Sequence, residues 1–415
     1  MKHPGQLGDT DVADAIVSSV RLVLDGAAQA VAIDYWDMSR AAHGAVVEAL
    51  ETCADPAARD ALRGLVDAPD DHGAAARLRE LVVRRLADGD ERWDATARAA
   101  AHADTTSRLV AHTGDRFVAG GPAVVAEDLE RLPAPARRGP AGSPPVAVVL
   151  PFRDTTASRS RLRNLLACVR ALADQTLDRA QYRVVVVEAD AEPRWAETVR
   201  PLVDAYVHLP WSGHFTKAWA VNVGVVQASG AAPLLCVLDG DVLVDRDFLR
   251  RNVARLGHRG RQAHLPFRDA LCLDAGSTSL AVRRRVLEGE AEVDAAELRG
   301  AVLRRPPGHC VWVRRELFDR VGGFDERFVG WGGEDLDLVF RLDVVGAVDR
   351  YDDPLLHLDH DRPQTQEDGR RFYAGRTLLS WAPIDPVGNP AAPARSGDDD
   401  LAGLIERGDD ALLDR

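Results

Sequence analysis

The sequence predicts an α/β protein, a mostly parallel sheet preceded by a small all-helical domain. Three observations predict it. Continuous apolar runs at Val146–Pro151, Val184–Val187 and Leu234–Leu238 read as strands buried on both faces. Helical segments alternate with these runs, and that alternation is the mark of a parallel sheet. Before residue 130, by contrast, the apolar residues recur at helical spacing only.

Taken in order, the stretch from Val12 to Leu50 opens with Val12, Ile16, Val20, Leu22, Val23 and Ala27 on one helical face. A second helix is expected over Pro56–Ala68, with Pro56 suited to its first turn. A third covers Ala74–Leu86, with Leu78, Leu81, Val82 and Leu86 as its buried stripe, and a fourth runs from Glu91 to His112. The run from Leu132 to Pro145 is too rich in proline and glycine for a helix or a central strand. Beyond it, helices are expected at Arg161–Ala173, within Trp195–Tyr206 and at Lys217–Gln227. After Pro383 the chain turns Pro/Gly/Asp-rich, with a short acidic helix expected at Leu401–Leu413. The expected division is therefore a helical domain at 1–130, a linker at 131–145, the α/β domain at 146–385 and an acidic tail at 386–415.

Charge and composition exclude several classes of function. Among 415 residues, 52 are Lys or Arg and 65 are Asp or Glu, a net charge of −13. Nucleic acid and anionic membrane both demand a basic face, so neither is expected as a partner. No apolar run approaches the ~20 residues of a membrane-spanning helix. The N-terminus lacks the apolar stretch and cleavage pattern of a signal peptide. Five cysteines, Cys53, Cys168, Cys236, Cys272 and Cys310, are scattered without metal-ligand spacing. Reduced thiols and a cytoplasmic location are the expectation.

Ligands of an open α/β sheet bind beyond the carboxyl ends of its strands. There the sequence has Pro151-Phe152-Arg153-Asp154, Glu188-Ala189-Asp190 and Asp239-Gly240-Asp241. Two carboxylates around a glycine can hold a divalent cation, although Asp-Gly-Asp alone is also what a plain turn looks like. A second cluster runs Gly330-Trp331-Gly332-Gly333-Glu334-Asp335-Leu336-Asp337. Acids in a first helical turn oppose the helix dipole, and Asp337 sits four residues before Arg341, the spacing of a helical ion pair. Capping does not account for the Gly-Trp-Gly-Gly before them, so Glu334 and Asp335 are the candidate functional pair. Leu355-Leu356-His357-Leu358-Asp359-His360 offers further metal ligands. In an extended segment side chains alternate, so only one of His357 and His360 is expected to face a metal, with His357 preferred. Pro306-Pro307-Gly308-His309-Cys310 reads as a loop without an assigned role.

These motifs, with Phe215-Thr216-Lys217-Ala218 and Asn222-Val223-Gly224 between them, occur in the order seen in GT-A glycosyltransferases. The chain from about 145 to 385 resembles the β-1,4-galactosyltransferase C-terminal domain and family 2 transferases of the chondroitin-polymerase type. The resemblance implies the GT-A, Rossmann-like fold and inverting transfer of a sugar from a nucleotide-sugar donor, a UDP-sugar above all, to a hydroxyl acceptor. It implies Mn²⁺ as cofactor, with Mg²⁺ as the alternative, held by Asp241 and Asp239 with His357 or His360. Pro151, Phe152, Arg153, Glu188, Phe215, Lys217, Asp239, Trp331, Gly332 and Gly333 fall to the donor. Asp335 matches the catalytic base and Glu334 the acceptor-binding acid. Leu336 departs from the acidic residue of the galactosyltransferase pattern and leaves the acceptor open. Lys217 is singular, since apart from Lys2 every other basic residue is arginine. An inactive nucleotide-sugar binding protein and a nucleotidyltransferase are the alternatives. The helical domain is expected to position the acceptor or to mediate self-association.

Overall fold

The computed structural model describes residues 7–26, 29, 33–135, 143–330, 332–361 and 387–393. Trp331, much of the linker and the expected helix at 401–413 lie outside these residues. Twelve strands are found among those described: β1 (Leu109–Thr113), β2 (Val146–Phe152), β3 (Tyr182–Asp190), β4 (Ala205–Pro210), β5 (Leu234–Leu238), β6 (Val242–Leu243), β7 (Ala263–Leu265), β8 (Asp269–Leu273), β9 (Arg299–Arg304), β10 (Cys310–Arg314), β11 (Val348–Arg350) and β12 (Leu356–His357).

Seven of them form one sheet in the order β11-β7-β10-β5-β2-β3-β4. All seven residues of β2 and all five of β5 are buried, as the continuous apolar runs require. β2 pairs in parallel with both β3 and β5, and β3 with β4. The chain thus winds outward from β2 to β4 and then crosses back to lay β5 on the other side of β2. That reversal opens a crevice at the carboxyl ends of β2 and β5. Gly224 lets the Lys217–Val223 helix and its continuation press on the sheet; a Cβ there would stand 2.5 Å from Val149 Cγ1.

A second sheet has the order β1-β9-β8-β12-β6. Its β12 pairs with β6 so that His357 lies opposite Val242, beside the end of β5. The helices Asp9–Leu24, Ile33–Glu51, Pro56–Asp67, His72–Ala87 and Asp94–Thr106 build a separate core that includes Val12, Ile16, Val20, Leu50, Leu65, Leu78 and Trp93. Asp55 fastens this bundle, capping Ala57 N and accepting from Trp93 Nε1 at 3.2 Å.

The expectation of helix throughout 1–130 needs correction. The helix expected over Glu91–His112 stops at Thr106, and Leu109–Thr113 pairs with β9, Leu109 opposite Leu303. Val124, Ala126 and Leu129 are buried in the α/β core, and Leu22 of the first helix packs with Leu109, Cys272, Ala301 and Leu303. A five-residue strand joining a distant sheet edge leaves no periodicity in its own segment that separates it from a continuing helix. Among the described residues no helix is long and apolar enough to cross a membrane.

Candidate active site

Asp239 and Asp241 leave β5 at the crevice. The turn is held from both sides, by Asp239 N donating to His309 O at 2.9 Å and Leu358 N donating to Asp241 O at 2.8 Å. Three imidazoles crowd Asp241. His357 Nε2 lies 3.5 Å from Asp241 Oδ1 and His360 Nε2 3.1 Å from Oδ2. The rings of His309 and His357 are 4.8 Å apart. One ligand atom from each of Asp241, His309 and His357 lies within 4.8 Å of the others. His357 and His360 are both buried and both turned to Asp241, against the expectation of one. The reason is local: β12 ends at His357, so strand alternation no longer governs His360.

These residues fit a divalent cation. Asp241 Oδ1 is buried without a hydrogen-bond partner among the described residues. His360 Nδ1 lies 2.9 Å from the Asp361 carbonyl, which can only accept. His360 Nε2 is thereby aimed at the Asp241 carboxylate, beside the ligand atoms of His309 and His357. Two or three imidazoles with one carboxylate suit Mn²⁺ or a later transition metal better than Mg²⁺, which favours oxygen ligands.

The other half of the site is built around Lys217. Thr216 bridges to Gly330, and Gly330 N donates to Phe215 O at 2.9 Å, so the two distant motifs are stitched together by backbone. Gly332 and Gly333 take φ of 97° and 95°, the left-handed region that favours glycine, and turn the chain into the Glu334–Gly346 helix. Lys217 Nζ then reaches Asp239 Oδ1 at 2.7 Å, Asp335 Oδ2 at 2.8 Å and Glu334 Oε1 at 4.0 Å. Burial alone would lower the ammonium's pKa, but Asp239, Asp335 and Glu334 outweigh it and hold it well above its ordinary value. Burial, reinforced by Asp335, raises the Glu334 carboxyl to about 7. Gly308 packs against the candidate base, for a Cβ there would stand 2.4 Å from Asp335 Oδ2. A crevice lined by Lys217, Asp239, Gly308, His309 and Asp335 joins the two halves.

The remaining candidates are placed as follows. Pro151 and Phe152 end β2 with buried side chains, and Arg153 beyond them donates to Gly213 O. Phe215 is partly buried against the core. Glu188 is fully buried at the end of β3, accepting from Tyr206 Oη and Trp195 N, and burial raises its pKa. Among its described contacts Glu188 meets none of the carboxylates or histidines above. Asp337 and Arg341 make the expected helical pair, buried at 2.6 Å, and Arg341 also donates to Val321 O and Gly323 O. Asn222 bonds Phe324 on both N and O, anchoring the loop that leads to Gly330. His309 is the residue sequence reasoning passed over. Its signals were faint: a Pro-Pro-Gly turn just before it and a strand just after, which places it at the carboxyl end of β5 by antiparallel pairing.

Two family models meet across this region. Glycosyl transferase family 2 matches residues 156–322, and the model described as the N-terminal domain of galactosyltransferase matches residues 307–358. Together the two models cover residues 156–358, so this α/β part of the chain is similar to glycosyltransferases of family 2 and of the galactosyltransferase type. The O-antigen biosynthesis protein RfbC of Myxococcus xanthus is 29% identical over 228 residues, 49% of this chain and 16% of that one. Validoxylamine A glucosyltransferase of Streptomyces hygroscopicus subsp. jinggangensis is 66% identical over 29 residues, 7% of each chain. The chain thus spans a small fraction of the length of these curated relatives. Among solved structures, a mannosyltransferase of Pyrobaculum calidifontis with GDP-Man and Mn²⁺ shares 20% identity at a TM-score of 0.36, over 57% of this chain and 63% of that one. The catalytic domain of Drosophila β1,4-galactosyltransferase 7 with xylobiose shares 19% at 0.33, over 54% and 75%. At such scores the likeness bears on neither substrate nor mechanism.

Proposed function

We propose that the chain is a metal-dependent, inverting glycosyltransferase that moves a sugar from a nucleotide-sugar donor, a UDP-sugar above all, onto an acceptor hydroxyl. One observation carries the reading: a histidine-rich cation site and a carboxylate pair on a helix start converge on the two ends of one Asp-Gly-Asp turn. Asp241, His309 and His357 would hold a cation, Mn²⁺ being favoured by the imidazoles, and when bound it would supply Lewis-acid neutralisation of a leaving nucleoside diphosphate. Asp335 takes the proton of the acceptor hydroxyl as its oxygen attacks the anomeric carbon. The bond from that carbon to the diphosphate breaks on the opposite face, so a single displacement inverts configuration. Lys217 orients Asp335 and Asp239 across the crevice, and Glu334 offers the acceptor a second carboxyl. Pro151, Phe152, Arg153 and Phe215 line the approach for the nucleotide.

The test is a panel of nucleotide sugars with Mn²⁺, scored for thermal stabilisation and slow hydrolysis. At least one UDP-sugar should raise the melting temperature and release UDP, both abolished by chelation. A protein that neither binds nor hydrolyses any of the panel is not this enzyme.

A further inference from the structure

A second charged cluster lies beside the loop that carries His309, and it is basic. Backbone bonds gather its members: Arg304 N donates to Arg108 O at 2.8 Å, and Arg305 N to Arg268 O at 3.0 Å. The Arg350 side chain donates through Nη1 to Pro306 O at 3.2 Å. Arg304 is matched by Asp104 and Arg268 by Asp352. Among the described residues, the guanidiniums of Arg108, Arg305 and Arg350 have no carboxylate within ion-pair distance. Arg108 and Arg305 are exposed and Arg350 is half-buried. Burial, with Arg108 and Arg305 adding to it, holds Arg350 below its ordinary pKa. Arg305 also takes a φ of 49°, a strained conformation for a residue with a long side chain.

Compensation is partial: Arg108 lies 6.0 Å over the Tyr35 ring, Asp343 acts on Arg350 from beyond ion-pair distance, and Asp269 Oδ1 accepts from the backbone N of Arg305 rather than from its guanidinium. Among the described residues, three guanidiniums without a carboxylate at ion-pair distance, in a chain of net charge −13, still depart from the rule that like charges are kept apart or matched. Such exceptions collect at functional sites. We propose that Arg108, Arg305 and Arg350 form an oxyanion-binding subsite for the acceptor, which therefore carries a phosphate or carboxylate group. The proposal rests on the transferase reading above and names the substrate class it leaves open. Position supports it. Arg305 is three residues from Gly308, a span of at most roughly 11 Å, and Gly308 abuts Asp335. An anion on Arg305 therefore lies within reach of an acceptor one or two sugar rings long whose hydroxyl meets the base. Guanidinium forks match oxyanions bidentately, and a local positive patch draws an anion to an otherwise acidic protein. Arg108 follows directly on the helical region, which thereby contributes to acceptor recognition.

The experiment uses the full chain in chelated, metal-free buffer, where no cation can hold an anion in the nucleotide site. Inorganic phosphate and acetate are each titrated calorimetrically against chloride at matched ionic strength. The same titrations are made on the double variant Arg108→Gln, Arg305→Asn, asparagine being tolerant of left-handed φ. Saturable binding of phosphate, of acetate or of both is expected in the wild type, at least tenfold weaker in the double variant. The anion that saturates names the group. Binding no stronger than chloride, or equal in both proteins, overturns the subsite. The nucleotide-sugar panel is judged separately: failure there removes the transferase reading, while loss of oxyanion binding removes only this one.

Discussion

Asp239 and Asp241 are the same residue type, one glycine apart, and the structure gives them opposite surroundings. Burial raises the Asp239 carboxyl to about 7, with Asp335 and Asp241 adding to it and Lys217 opposing. Burial would raise Asp241 as well, but His357, His360 and His309 outweigh it and hold that carboxyl well below the usual range. The lesson is that neighbours rather than residue type divide the labour across this turn. Asp241 stays anionic among potential metal ligands, whereas Asp239 is tied to the lysine that also grips the candidate base.

The largest expected effect comes from breaking the histidine side. Asp241→Asn, or chelation of the wild type, should reduce transfer by about a thousandfold or more, the worth of several kcal/mol of Lewis-acid charge stabilisation. Calorimetry should show Mn²⁺-dependent UDP binding lost in the variant. If Asp241→Asn keeps that dependence, the metal end of the turn has been misassigned.

On the lysine side, Asp335→Asn removes the base while keeping shape, so turnover should fall by roughly 10²–10⁴. UDP affinity should stay near wild type, because the nucleotide contacts proposed above lie on other loops. Near-normal turnover would leave Asp335 as no more than a helix-capping acid. Lys217→Met tests the same side through stability. It strands Asp239, Glu334 and Asp335 without their cation, and breaking a buried pair costs about 3–5 kcal/mol. Urea unfolding of the metal-free protein measures this, and an unchanged midpoint would mean that the three-way contact contributes nothing.

The smallest effect sharpens the comparison through pH. Because the Glu334 carboxyl is raised to about 7 in the folded state, the folded protein holds that proton more tightly than the unfolded chain. Its stabilising contribution is complete below the ordinary glutamate pKa and is lost as pH rises through about 7. Glu334→Gln should therefore flatten the fall in melting temperature between roughly pH 4.5 and 7. An identical slope in both proteins would place the proton elsewhere.

Much of this was legible before any coordinates. The runs at Val146 and Leu234 could only be doubly buried strands, and the Gly-Gly before Glu334 marked a loop bent into a helix start. The Asp337–Arg341 pair followed from helical spacing alone. The errors share one origin, contacts between segments far apart in the chain. The strand at Leu109–Thr113 is defined by its partner some 190 residues later. His309 becomes a candidate ligand only because β10 runs antiparallel beside β5, and His360 joins His357 because β12 stops after two residues.

What the sequence by itself determined is the alternating architecture and the glycine-bent helix start that carries Glu334 and Asp335, because burial periodicity and glycine placement are local properties. Only the tertiary structure decided that Asp241 meets His357 and His360 and that Asp239 meets Lys217, with His309 Nδ1 also 3.9 Å from Asp239 Oδ2. It alone decided that Gly308 yields its space to Asp335, and that Arg350 reaches the Pro306 carbonyl at the start of the His309 loop. Those outcomes depend on sheet order and on which loops a bridge such as Thr216 to Gly330 draws together. No pattern within a single segment encodes a distance between two of them.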